Sequence, residues 1–217
     1  MSELLLDIRD LVIEADIDGD WRPIVNGLSM GLHKGEIVGL IGESGAGKST
    51  FGLAGMGYTK PGCRIVSGSI KLEGEELVGA SPSRLREIRG NSVSYVAQSA
   101  AAAFNPAHRL ITQFVEAPVQ HGKMRSEEAA RRGQDLYRQL DLPDPEHIGN
   151  RFPHQVSGGQ LQRAMTAMAM GCDPRLIVFD EPTTALDVTT QIEVLSTIKE
   201  AVRARGVAAI YITHDLA

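Results

Sequence analysis

Hydrophobic and polar positions along this chain change period several times, and each change marks an element. "LLLDIRDLVIEAD", from Leu4 onward, alternates as a strand pair or one long edge strand would. "GEIVGLIG" is a short apolar run that predicts a buried strand entering a glycine-rich loop. "KSTFGLAGMG" begins a helix behind that loop, and "KPG" breaks it. "GSIKLEGEEL" reads as two half-buried strands around a turn at Glu73 and Gly74, and "NSVSYVAQ" as another strand, ending at Gln98.

From Gln98 to about residue 170 the period becomes helical. "SEEAARRGQDLYRQLDL" carries apolar residues at helical spacing behind Ser126 as N-cap, and "GGQLQRAMTAMAM" is a second clear helix. Gly171 suits its C-terminal cap, and Pro174 cannot continue it. "RLIVFDEP" then predicts a buried strand, "TTQIEVLSTIKEAVRARG" an amphipathic helix closed by Gly206, and "VAAIYITHD" a last buried strand. Strands alternating with helices in this order predict an α/β fold with a mainly parallel sheet covered on both faces. No internal repeat, low-complexity tail or linker interrupts it.

Composition narrows the class. With 217 residues, 42% of them hydrophobic, the chain can bury one substantial core, with room for an inserted subdomain. The net charge of −5 argues against a nucleic-acid backbone as partner, since such binders carry a basic excess. The two cysteines, Cys63 and Cys172, make no disulfide framework and point to a reducing compartment. "MSELLLDIRD" has acids where a signal peptide needs bases, and no apolar stretch approaches the length of a membrane span. The expected setting is cytoplasmic, with any membrane attachment supplied by a partner.

The glycine-rich loop is where chemistry enters. Gly42, Gly47, Lys48 and Ser49 fit G-x-x-x-x-G-K-S/T between a predicted strand and a predicted helix, the phosphate-binding P-loop of nucleotide hydrolases. Backbone N–H groups of Gly42, Glu43, Ser44, Gly45, Ala46, Gly47, Lys48, Ser49 and Thr50 can wrap a nucleotide's phosphates, Lys48 can neutralise them, and the Ser49 hydroxyl can coordinate Mg2+. A metal so held needs an acidic neighbour. Asp180, after four apolar residues in "LIVFDEP", sits at the carboxyl end of a strand, where such sheets place ligands. Glu181 follows it and is expected to point the other way, toward an attacking water. Gln98 and His214 both end strands, the first able to touch metal and water, the second the γ-phosphate. The remaining histidines, His33, His108, His121, His147 and His154, have no metal-ligand spacing.

A second anion site is predicted at "VSGGQLQRA". Ser157 and Gln160 form the S-x-x-Q capping box of a helix start, and Gly158 and Gly159 let a ligand approach its amides. One domain with two phosphate sites poses a question that composition does not answer.

"GESGAGKST", Gln98, "VSGGQ", "LIVFDEP", "ALD" and His214 occur in the order found in ATP-binding cassette (ABC) proteins and cover nearly the whole chain. The segments resemble the Walker A loop, Q-loop, signature motif, Walker B strand, D-loop and switch histidine of that family. The resemblance implies a RecA-like P-loop core, a small antiparallel β subdomain and a helical subdomain over about 99–170, in one nucleotide-binding domain spanning 1–217. It also implies ATP and Mg2+ as ligands, with Glu181, His214, Gln98 and Lys48 catalytic, and Ser49, Gln98 and Asp180 around the metal. Two such domains would pair head to tail, so that Ser157, Gly158, Gly159 and Gln160 serve the nucleotide of a partner. That arrangement accounts for two phosphate sites in one domain.

A finer likeness is to importers of dipeptides, oligopeptides and nickel, through "AQSAAAAFNP", "RFPHQVSGGQLQRAMTAMAM" and "DEPTTALDVTTQ". It implies transmembrane permease subunits as partners, an extracytoplasmic solute-binding protein in the full system, and a place on the cytoplasmic face of the membrane. A soluble cassette ATPase acting on nucleic acid or ribosomes is the alternative; it lacks support in coiled coils or basic patches. Three departures stand out. Ser99 and Ala100 replace the acid and proline that often follow the Q-loop glutamine, and the chain ends at Ala217, so a truncation is expected. Ala15 stands where the family stacks adenine on an aromatic ring, which leaves Trp21, in a Gly/Asp-rich turn, as the candidate stack.

Overall fold

The computed structural model describes residues 4–184 and 186–214. Ala185 of the "ALD" segment and Asp215 of "YITHD" lie outside the described residues. Two sheets organise the molecule. The first is antiparallel, in the order β2-β1-β4-β5, from β1 (Leu4–Ile17), β2 (Asp20–His33), β4 (Cys63–Leu72) and β5 (Glu75–Glu76). The second is parallel, in the order β3-β8-β7-β6, from β3 (Ile37–Ile41), β6 (Val93–Val96), β7 (Leu176–Asp180) and β8 (Ala208–Thr213).

β1 is one strand of 14 residues and not an edge: β2 pairs on one side and β4 on the other. Its alternation breaks where its register slips between Ile8 and Leu11, with Asp10 at φ 45, which is why the pattern looked divisible into a pair. The turn between β4 and β5 falls at Glu73 and Gly74, both at positive φ, the hairpin geometry that suits a right-twisted ribbon. β3 corrects the expectation of a buried strand. It pairs with β8 alone among the described residues, its side chains are half-buried or exposed, and Ile41 is 53% exposed.

The parallel sheet is covered on both faces because its strands are apolar on both. Leu176, Val178, Ala208, Ile210 and Ile212 pack with α1 (Lys48–Ala54) and the inner face of the antiparallel sheet. Ile177, Phe179 and Ala209 pack the other way, against α6 (Gly158–Met170) and α7 (Val188–Ala204). Between β6 and α6 lie α3 (Ala100–Ala103), α4 (Leu110–Gln120) and α5 (Ser126–Gln139), while α2 (Pro82–Ile88) precedes β6 in the chain. Phe114 of α4 meets Tyr137 of α5 edge-on at 5.9 Å, which locks those two helices together. The N-cap of α5 is Arg125, one residue before Ser126, whose side chain makes no cap bond. No helix among the described residues is long and apolar enough to cross a membrane.

Candidate functional site

Four segments converge at the carboxyl ends of β3, β6, β7 and β8. The loop after β3 enters α1 through Gly47 at φ 79, a left-handed conformation that a β-carbon disfavours. A β-carbon there would also stand 2.4 Å from the carbonyl oxygen of Ile24 on β2, so only glycine fits. Glu43, Ser44, Gly45 and Ala46 are exposed at the loop's outer rim, while Thr50 is buried under it. The Lys48 ammonium folds back over the loop and donates to the carbonyls of Gly42 at 2.8 Å and Glu43 at 2.7 Å. An ammonium has three N–H donors, so these bonds leave one for a ligand.

Asp180 ends β7, the strand buried at every position, and is itself only 7% exposed. Both carboxylate oxygens are engaged. The Ser49 hydroxyl donates to Oδ1 at 2.7 Å and the Tyr95 hydroxyl to Oδ2 at 2.9 Å. Burial, then the bond to Asp180, push the Tyr95 hydroxyl pKa up, so the phenol stays protonated and remains a donor. Tyr95 had no place in the sequence-based site. It pairs with Val178 across β6 and β7, and its long side chain reaches two residues further along the same face to Asp180.

Glu181 takes a different direction, but not because a strand alternates. β7 ends at Asp180, and Glu181 adopts φ 46, outside the usual regions for a residue with a side chain. Its N–H donates to Ile212 of β8 at 2.9 Å, which holds this turn in place. The Glu181 carboxylate accepts from the Gln98 amide at 3.0 Å and the Thr184 hydroxyl at 3.2 Å through Oε2, and faces the His214 imidazole Nδ1 at 3.2 Å through Oε1. Gln98, two residues beyond β6, is exposed, as is half the His214 side chain. Ser49 on Asp180, and Gln98 and His214 on Glu181, therefore meet at two successive residues, with Lys48 next to Ser49 in the chain.

The signature segment lies apart from it. Ser157 caps α6: its hydroxyl accepts from the Gln160 N–H at 3.3 Å, and the Gln160 side chain accepts from the Ser157 N–H at 3.0 Å. Among the described residues no hydrogen bond or ion pair joins residues 157–160 to the loop at 42–50. The glycines have a packing role that the sequence did not show. A β-carbon on Gly159 would stand 2.7 Å from the Thr190 methyl of α7, and one on Gly158 would stand 3.1 Å from Leu186. Trp21 is likewise differently placed than expected, on β2 and not in the turn. The Arg64 guanidinium lies 4.0 Å from its ring centre, held by Glu14 at 2.8 Å, so one ring face is covered.

The matching family model is the ABC transporter family, over residues 25–184. The chain belongs to that family. Curated relatives include the oligopeptide transport ATP-binding protein OppD of Lactococcus lactis subsp. lactis, 38% identical over 99% of this chain and 64% of the relative. Another is the probable D,D-dipeptide transport ATP-binding protein DdpD of Escherichia coli K12, 39% identical over 100% of this chain and 66% of the relative. The chain thus spans about two thirds of the length of these relatives. Among solved structures, the ATP-binding cassette MJ0796, in a dimeric post-hydrolysis state bound to ADP and Pi, superposes with a TM-score of 0.83 at 23% identity over 97% of this chain and 88% of its own. The cbiO1 protein of Clostridium perfringens, part of an ABC transporter complex, superposes at 0.80 with 24% identity over 99% of this chain and 80% of its own. The ABC cassette shares its P-loop core, parallel sheet and separate antiparallel sheet with this fold.

Proposed function

We propose that residues 1–217 form a single nucleotide-binding domain that binds and hydrolyses ATP and powers a membrane importer of peptides, nickel or a similar small solute. The observation that carries this reading is the cluster in which Ser49, Asp180, Gln98, Glu181 and His214, drawn from four segments, meet beside Lys48. The donors offered by Ser49, Asp180 and Gln98 are all oxygens or can be, which suits Mg2+. Among the described residues no group of three or more His, Cys, Asp or Glu could hold a metal by itself. Asp180 and Ser49, with Gln98, would instead hold Mg2+ together with substrate phosphates, the usual manner in nucleotide sites. When bound, it neutralises charge on the phosphate oxygens.

The rest is done by the chain. The loop amides from Gly42 to Thr50 and the remaining Lys48 donor hold the phosphates. Glu181 orients and polarises the attacking water: its Oε2 is taken by Gln98 and Thr184, while Oε1 faces His214 alone and has a lone pair left for that water. His214, turned toward the phosphate, and Gln98, exposed two residues beyond β6, then report nucleotide state to whatever covers this rim. A second cassette domain, a copy of this chain or a similar one, supplies Ser157, Gly158, Gly159 and Gln160 to the far side of the nucleotide. Each of two ATP molecules is thereby shared between the two domains.

Permease subunits dock at the groove of about 320 Å³ that Tyr95 and Met56 line with Gln113, Glu116 and Gln120 of α4 and Met168 of α6. This places the chain on the cytoplasmic face of a membrane, with an extracytoplasmic solute-binding protein delivering the cargo. No nucleic acid is involved, in keeping with the net charge of −5. The test is Glu181→Gln. ATP binding should persist, while turnover falls by about 10²–10⁴-fold, as for loss of a general base. Hydrolysis at the parent rate would remove Glu181 from the mechanism.

A further inference from the structure

Asp180 is a buried carboxylate whose two oxygens have one partner each: Ser49 on the side of the P-loop and Tyr95 on the other. The two bonds differ in kind. The Ser49 hydroxyl can keep its proton on Asp180 while its lone pairs face a cation. The Tyr95 hydroxyl comes from β6 and not from the phosphate loop, and its one proton goes to the carboxylate. Without it, Oδ2 would be an unpaired oxygen on a carboxylate only 7% exposed, and the carboxylate would gain by rotating away from Ser49. The tyrosine is well fixed for this task. Its ring lies on the face of β6 turned to α1, in register with Val178, and its hydroxyl donates to Oδ2 at 2.9 Å.

We propose that Tyr95 is a positioning residue for the divalent cation: its hydroxyl fixes the Asp180 carboxylate in the orientation that meets Ser49, and so sets how tightly the cation is held with the nucleotide. This rests on the reading of Ser49 and Asp180 as the cation's protein partners. Groups that orient a metal-binding carboxylate typically contribute 10–100-fold to metal affinity.

Tyr95→Phe removes the hydroxyl and keeps the ring. Binding of a fluorescent ATP analogue to the intact chain is titrated with Mg2+ and, separately, measured in excess chelator. Manganese bound with the nucleotide is counted by electron paramagnetic resonance. The expected result is a roughly 10- to 100-fold higher half-saturating concentration for Mg2+ and Mn2+ in Tyr95→Phe, with unchanged nucleotide affinity in chelator. A tyrosine that only packs would lower thermal stability without moving the cation dependence, and equal cation dependence in the two proteins overturns the proposal. So does an equal loss of nucleotide affinity with and without the cation. In an Asp180→Asn background Tyr95→Phe should add nothing, and a full additional effect there would also overturn it. If the parent chain itself shows no cation effect on nucleotide binding, the reading of Ser49 and Asp180 falls first, and the role of Tyr95 with it.

Discussion

Single residues in this chain repeatedly answer to two demands at once. Glu181 must leave the line of β7 to reach solvent, and it does so at φ 46 with its N–H tied to Ile212, a conformation maintained against an intrinsic cost. Lys48 spends two donors on the loop that it serves. Trp21 is already stacked on one face by Arg64, so an adenine would take the other. Stacking a base on an aromatic contributes about 1–3 kcal/mol, so Trp21→Ala should weaken ATP binding by roughly 5- to 150-fold. Trp21 is the only tryptophan, which makes its emission a direct monitor, and saturating MgATP should quench it. Unchanged emission together with unchanged affinity in Trp21→Ala would leave the adenine to the P-loop side alone.

Among the elements, the start of α6 shows how a motif proposed to bind a ligand also serves packing. Gly159 lets α6 approach α7 until the Thr190 methyl fills the space of a β-carbon. Gly159→Ala should therefore cost about 1–3 kcal/mol by overpacking, a melting-temperature drop of roughly 2 to 12 °C for a domain of this size. Gly158→Ala, which meets only the flexible end of Leu186, should cost less. Equal melting temperatures for Gly159→Ala and the parent would mean that α7 yields freely. Much of this level was legible in the sequence. α6 occupies the run "GGQLQRAMTAMAM" that its period marked, and the capping box of Ser157 and Gln160 is formed. The hairpin at Glu73 and Gly74 is where the turn residues put it. What the sequence hid was lateral neighbourhood. A strand's pattern tells which face is apolar, not which strand lies beside it. So β1 passed for an edge, β3 for a covered strand, and Tyr95 for a plain strand residue although it sits one strand from Asp180.

In the whole molecule, the sequence order of the motifs is resolved into two places: a phosphate loop with its acidic cluster, and a helix start that no hydrogen bond or ion pair joins to it among the described residues. On the proposed reading each place is a half-site, pairing of two domains would complete both, and ATP between the halves would be the adhesive. The proposed head-to-tail pairing predicts that Ser157→Arg leaves nucleotide binding by the monomer intact, because that serine would serve the partner's ATP. The most direct test of the account is the solution mass of Glu181→Gln by light scattering at saturating MgATP, with and without Ser157→Arg in the same chain. The account predicts a dimer for Glu181→Gln that is absent without nucleotide, and a nucleotide-bound monomer once Ser157→Arg is added. A Glu181→Gln protein that stays monomeric while saturated with MgATP, or a Ser157→Arg monomer that no longer binds nucleotide, would contradict it.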